Sequence, residues 1–273
     1  MLRQRVITAL VLGACVFGIL FFAPREAFNL LVAAVFSLAA WEWGRLSGIR
    51  SRLGQQVYPI TLLATTMGIL ALQAQFGLPN WLPFGVAAVW WCTALLLVSQ
   101  YKGGQVWWGG VEWRCLMGAL VLIPTGLSLV FLRQLPKGEW VVALLFGVVA
   151  VMDIGAYFTG RAFGKLKLAP YVSPGKSWEG VAGGLFFTVV LAVLLTLKQN
   201  AHSFVACALL IMPAAAASVL GDLVESMVKR HQGVKDSSQL LPGHGGFMDR
   251  IDGLTAAAPI FTLSLLLTGW SLQ

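Results

Sequence analysis

The sequence predicts an all-α, polytopic integral membrane protein with about nine transmembrane helices. Three observations lead there: 58% of the 273 residues are hydrophobic and 11% are charged, the mean hydropathy is +0.80, and all charges but Glu42 and Asp153 avoid nine apolar windows. Soluble domains carry about 25% charged residues, so a soluble globular enzyme is excluded. Disorder requires low hydrophobicity and is excluded as well. Cys15, Cys92, Cys115 and Cys207 are too few and too scattered for a disulfide-stapled secreted domain. With no C-x-x-C pair and no neighbouring histidine they make no zinc site and read as small packing residues.

A bilayer core takes about 20 apolar residues in helical form. The first window, Val6 to Ala23, follows Arg3 and Arg5 as a secretory leader would, but Phe21, Phe22 and Ala23 before Pro24 make a poor cleavage site, so it is expected to stay as a helix. Ala27 to Trp43 comes next and carries Glu42 near its end, followed by Val57 to Leu72 and Phe84 to Val98. Cys115 to Leu132 contains Pro124, and Trp140 to Phe158 contains Asp153, an ionisable group inside a span. Val181 to Leu197, Phe204 to Leu220 with Pro213, and Leu254 to Trp270 with Pro259 complete the set. Membrane helices tolerate such prolines when neighbours satisfy the freed carbonyls. Trp41, Trp43, Trp107, Trp108 and Trp113 cluster at window edges, where indoles anchor at headgroup level.

Nine crossings alternate sides, which allows a charge test. With the N-terminus inside, fifteen Lys and Arg residues fall on the inner side, and Arg25, Arg133, Lys137 and Lys198 make four outside. Cytoplasmic loops carry such an excess, so the N-terminus is expected in the cytoplasm and the C-terminus outside. No internal repeat or linker appears. Residues 1–273 are expected to form one integral membrane domain, with N-terminal helices over 1–139 and a catalytic part with its cytoplasmic loops over 140–273.

Seven of the eleven acidic residues, Asp153, Glu179, Asp222, Glu225, Asp236, Asp249 and Asp252, lie in the C-terminal half on or near the inner side. The inner loops Gly160 to Gly180 and Gly221 to Gly253 add eight of the fifteen inner basic residues. Acids and bases concentrated on one face suit a polyanion and a metal. A net charge of +8 on so apolar a chain fits lipid headgroups or phosphates and argues against nucleic acid.

Three constellations carry chemistry. If the eighth helix continues beyond its window, Asp222, Glu225, Ser226 and Lys229 recur at i, i+3, i+4 and i+7 on one face; the alternative is a solvated helix end. In Pro242 to Gly253, the bare backbone around His244 from Gly243, Gly245 and Gly246 can cradle phosphate oxygens. Asp249 and Asp252 follow at i and i+3, and two carboxylates beside bound phosphate are what Mg²⁺ requires; the alternative is a glycine turn capped by Asp249. Ser173 to Gly180 offers Lys176 as a point charge for phosphate at a helix start. Its G-K-S is no P-loop, because position 170 is Pro where that motif needs Gly.

Together Ser226, Lys229, Arg230, Lys235, Asp236, Ser238, Leu241, Pro242, His244, Gly245, Gly246, Asp249, Arg250 and Asp252, a run of 27 residues, resemble the signature of the phosphatidate cytidylyltransferases, or CDP-diacylglycerol synthases. Ser173 to Gly180 and Asp153, Gly155, Ala156 and Tyr157 are similar to the same family. The N-terminal half resembles it only as hydrophobic spans.

The resemblance implies transfer of CMP from CTP to phosphatidic acid, giving CDP-diacylglycerol and pyrophosphate. It implies that Asp222, Asp249 and Asp252 hold Mg²⁺, with a second metal ion left open, and that Lys229, Arg230 and Lys235 contact phosphates. Ser173 and Lys176 are expected on the nucleotide phosphates and Glu179 in support or on the metal. His244 is expected to shape the glycine loop with Gly245 and Gly246 more than to move protons. Asp153, Tyr157 and Arg161 recur at i, i+4 and i+8 and line substrate or form a packed polar network. His202 and His231 read as exposed loop residues. The expected partners are CTP, phosphatidic acid and membrane lipids, with a homodimer left open, and the expected location is a bacterial inner membrane with the site facing the cytoplasm.

Other classes fare worse. A secondary transporter would show an inverted repeat, and a CDP-alcohol phosphotransferase would continue D-G-x-x-A-R where this chain has Leu254, Thr255, Ala256 and Ala257 after Gly253. A CTP-dependent lipid kinase differs in its products, CDP and a new phosphomonoester.

Overall fold

The computed structural model describes residues 2–198, 203–241 and 243–271, with the backbone alone for 2–7 and 9. His202 and Pro242 lie outside the described residues, as do the side chains of Arg3 and Arg5. Each apolar window is a helix: α1 Leu2–Phe22, α2 Arg25–Leu46, α3 Arg52–Phe76, α4 Leu82–Gln100, α5 Val111–Gln134, α6 Gly138–Phe163, α7 Trp178–Lys198, α8 Phe204–His231 and α9 Met248–Thr268. Eight of them, α2 to α9, are long and apolar enough to cross a membrane, and the described apolar part of α1 is Leu10–Phe22.

The helices overrun their windows, so the two inner loops shrink to 164–177 and 232–247. In α8 the extension is held by its own polar face: Ser226 Oγ donates to Asp222 Oδ1 (3.1 Å) and Lys229 Nζ to Glu225 Oε2 (2.7 Å), both at i, i+4. The chain is nearly all-α, as expected; among the described residues the exception is an antiparallel hairpin of Lys167–Ala169 (β1) and Ser173–Ser177 (β2), which leads into α7.

Helix starts follow local chemistry where it exists. Ser51 Oγ accepts from Gly54 N (3.1 Å) ahead of α3, and Ser203 Oγ accepts from Ala206 N (3.2 Å) ahead of α8. No such cap precedes α9, whose N-cap is Phe247.

Inside a bilayer, packing and small residues draw helices together where the hydrophobic effect cannot. The helices α6 and α7 meet backbone to backbone: a Cβ on Gly155 would lie 3.0 Å from the Cα of Gly184, and one on Gly160 would lie 3.4 Å from the Cα of Gly180. Thr159 Oγ1 sits in this seam, donating to Gly155 O (2.6 Å) and, more weakly, Gly180 O (3.3 Å). α8 and α9 approach as closely, since a Cβ on Gly221 would run into the carbonyl oxygen of Asp252.

Two of the expected interfacial indoles are core residues. Trp43 is fully buried and donates to Arg114 O (2.8 Å), in space left by Gly118, and Trp108 is buried against Tyr101 and His231. Each belongs inside because its N–H or ring face finds a partner on another element. Trp107 and Trp113 remain exposed. His231 ends α8 with its ring 5.0 Å from that of Trp108, and so is not a loop residue. Of the cysteines, Cys207 packs in the core while Cys15 and Cys92 are exposed.

Candidate active site

The C-terminal ends of α2, α6 and α8 and the N-terminal ends of α7 and α9 come together: Glu42 accepts from Met248 N, Lys176 pairs with Asp222, and Gly160 lies against Gly180.

Two cavities bearing charged side chains open there. One of about 500 Å³ is bounded by Asp153, Tyr157 and Arg161 of α6, Ser173 and Lys176 of β2, and Asp222 of α8. The other, of about 600 Å³, is lined by Lys235, Asp236, Ser238, His244, Gly245 and Arg250. Asp222 thus faces the first and Arg250 the second, on helices joined at Gly221 and Asp252.

In the first cavity Lys176 Nζ lies 2.5 Å from Asp222 Oδ2, both partners partly exposed. Asp153 is near enough to feel both charges. Tyr157 Oη accepts from Arg161 Nη1 (3.3 Å) at the exposed rim. The hairpin presenting Ser173 and Lys176 is held from outside the cavity: Glu179 accepts from Leu166 N at 3.1 and 3.2 Å, and Arg230 Nε donates to Val172 O (3.3 Å). A second Arg230 bond reaches Val234 O (3.2 Å). Glu179 and Arg230 therefore build the walls in this geometry.

Behind the cavities lies a buried ion cluster. Lys229 Nζ is 2.7 Å from Glu225 Oε2 and 2.6 Å from Asp249 Oδ1. The other oxygen of Asp249 accepts from Ser237 N (3.0 Å), Ser237 Oγ (3.0 Å) and Gly246 N (2.8 Å). Asp249 is thereby committed to the fold of the glycine loop. Gly245, at φ 81, has to be glycine, since a Cβ there would lie 2.6 Å from Asp249 Oδ2. His244 donates its N–H to Leu241 O (2.9 Å), and Leu241 N donates to Gly245 O (2.8 Å), so this histidine is part of the turn.

Asp222, Asp249 and Asp252, the carboxylates expected on one metal, are differently engaged in this geometry. Among the described residues no group of three His, Cys, Asp or Glu side chains converges as a metal site. Asp249 is engaged by four donors, and Asp222 by Ser226 Oγ on one oxygen and Lys176 Nζ on the other. Asp222 and Asp252 lie where α8 and α9 touch, at Gly221 and Asp252, and Asp252 engages a single oxygen, with Gly253 N (2.8 Å). A pair of carboxylates is the complement Mg²⁺ takes when phosphate oxygens fill the rest of its shell.

One residue of the site had no role in the sequence reading. Glu42 of α2, fully buried, accepts from Ser238 Oγ (2.5 Å) and Phe247 N (3.0 Å) through Oε1, and from Ser237 Oγ (3.1 Å) and Met248 N (2.7 Å) through Oε2. The only available signal was a charge within an apolar window.

A family model described as Cytidylyltransferase family matches residues 3–268. Similar proteins include one from Pseudomonas aeruginosa, 45% identical and covering 99% of both chains. Another from Haemophilus influenzae is 41% identical over 96% of this chain and 98% of its own, and one from Brucella suis is 38% identical over 96% and 92%. All three carry the name phosphatidate cytidylyltransferase.

Proposed function

The chain belongs to the cytidylyltransferase family, and we infer from that premise and from the site that it is a membrane-embedded nucleotidyltransferase of phospholipid biosynthesis, which makes CDP-diacylglycerol from CTP and phosphatidate. The single observation that carries the reading is the pair of cavities, each bearing charged side chains, beside one ion cluster at the shared helix ends.

Two polyanions have to meet, and their repulsion is the obstacle. A phosphate oxygen of phosphatidate forms a bond to the α-phosphorus of CTP while the bond from that phosphorus to the β-phosphate oxygen breaks, releasing pyrophosphate. The lipid phosphate is itself the nucleophile, so no side chain need be modified. Lys176 offers its ammonium to phosphate oxygens as a movable point charge, and Asp222 holds it in place until substrate arrives. Lys229, fixed between Glu225 and Asp249, supplies a second, immobile positive centre. Arg250 and Lys235 offer further charge in the other cavity.

Mg²⁺ is the cofactor in this proposal, and Asp222 and Asp252 are the residues that would hold it; the close approach of α8 and α9 at Gly221 and Asp252 and the unused oxygen of Asp252 support the choice. Bound there, it would neutralise phosphate charge as the new bond forms. Asp249 is left to position the loop. We further place the protein in a bacterial inner membrane with these helix ends toward the cytoplasm, where CTP resides, a placement supported by the fifteen-to-four division of basic residues and by the bacterial relatives.

The test is incubation of purified protein with phosphatidate and CTP labelled separately at the α and γ phosphates. The α label should enter lipid and the γ label pyrophosphate; a γ label in lipid would show a kinase.

A further inference from the structure

The remaining puzzle is why a carboxylate is buried at the end of α2. Glu42 is fully buried, and each of its oxygens takes two donors from the segment that leads into and begins α9. Two of those donors, Phe247 N and Met248 N, are unsatisfied helix-start amides of α9, at the positive end of its dipole. The other two are the hydroxyls of Ser237 and Ser238, which bring the 232–247 loop onto the same carboxylate. Helices α3 and α8 are capped by serines at their own starts, whereas the anion that caps α9 lies 205 and 206 positions away in sequence.

The link continues toward the chemistry. Ser237 Oγ lies between Glu42 Oε2 (3.1 Å) and Asp249 Oδ2 (3.0 Å), sharing its one proton between them, and Asp249 in turn holds Lys229. Asp252 is one helical turn beyond Asp249. The glycine loop has no room to adjust around this anchor, because a Cβ on Gly246 would collide with Glu42 and Ser237. The backbone of Glu42 is itself pinned, since its neighbour Trp43 bonds to Arg114 O and Arg114 Nη1 bonds to Leu46 O (3.2 Å).

We propose that Glu42 is a positioning residue for cytidylyl transfer: from the N-terminal half of the chain, its carboxylate sets the place and orientation of the first turn of α9, and through it of Asp249 and Asp252. The proposal rests on the functional reading above. It also gives the N-terminal helices a task within the reaction beyond spanning the bilayer.

The experiment uses the full chain in mixed micelles of phosphatidate with saturating Mg²⁺ and varied CTP. Glu42→Gln keeps the volume but turns an amide donor toward donors. Its kcat should fall about 10- to 100-fold, as expected when reacting groups are misplaced by about an ångström, while KM for CTP and for phosphatidate stays within about threefold of wild type. Glu42→Asp, which keeps the charge, should recover part of the lost kcat. Ser238→Ala removes one donor and should lower kcat about fivefold, the worth of a single hydrogen bond, with less than additive effect when combined with Glu42→Gln. It also decides the matter if Glu42→Gln does not fold: wild-type kcat in Ser238→Ala would then overturn the proposal. So would a Glu42→Gln enzyme whose kcat per folded molecule is unchanged, or whose whole defect lies in KM. A wild-type protein that makes no CDP-diacylglycerol would overturn both this proposal and the functional reading, whereas the variant outcomes overturn this one alone.

Discussion

Replacing Lys229 with Met tests the buried cluster most directly, and the structure sets the size of the effect. The side chain is 9% exposed, and its ammonium pairs at 2.7 Å with Glu225, whose side chain is fully buried, and at 2.6 Å with Asp249. After the change Asp249 still has three donors, from Ser237 and Gly246. Glu225 has none, because its Oε1 already lacks a partner and Oε2 has lost its only one. Leaving one charge of a buried pair uncompensated costs about 3–5 kcal/mol, which for a chain of this size lowers the unfolding temperature by on the order of 10 °C. Adding Glu225→Gln removes the orphaned charge and should recover most of that loss, while activity stays absent because the positive centre is still missing. Thermal melts of the three proteins in one detergent, followed by tryptophan fluorescence beside cytidylyl-transfer assays, separate the two effects. A Lys229→Met protein that melts with the wild type would refute the reasoning, as would a double variant no more stable than the single one.

Other expectations follow from the same geometry. Lys176→Ala should raise the apparent KM for CTP about tenfold or more, as loss of a charge-assisted phosphate contact does, and leave that for phosphatidate nearly unchanged; a defect confined to the lipid would reassign the first cavity. Activity should vanish with EDTA and return with Mg²⁺, and Asp252→Asn should lower turnover by orders of magnitude in a protein that melts normally. Near-normal turnover would remove Asp252 from the metal site. A reporter fused after Gln273 should appear outside and one inserted in the 164–177 hairpin inside; both on one side would break the alternation of nine spans.

The helices were legible because a bilayer leaves a long apolar run few alternatives, and their true ends were not. The eighth apolar window stops ahead of Asp222, whereas α8 continues as far as His231, with Asp222 paired to Ser226 and Glu225 to Lys229 along its face. The hairpin was hidden for the opposite reason: Ser173, Pro174 and Gly175 have poor strand propensity, and tertiary support from Arg230 and Glu179 overrides it. The shared helical face of Asp249 and Asp252 could be read from spacing alone. That Asp249 spends its oxygens on Lys229, Ser237 and Gly246 could not, since spacing along a helix says nothing of what approaches from other elements. Glu42 is the extreme case, with partners 195 to 206 positions away.

The glycine seam between α6 and α7 limits where the enzyme can move. Gly155 against Gly184 and Gly160 against Gly180 leave less than a methyl group of space between the two backbones, so the wall bearing Asp153 and Tyr157 behaves as one stiff plate. A lipid headgroup and a triphosphate must nevertheless enter, react and leave as two different products. The give needed in each cycle then falls to parts outside the plate, such as the exposed hairpin tip at Tyr171. A methyl group added at Gly155 would press on the backbone of Gly184 and shift Asp153 and Tyr157 together.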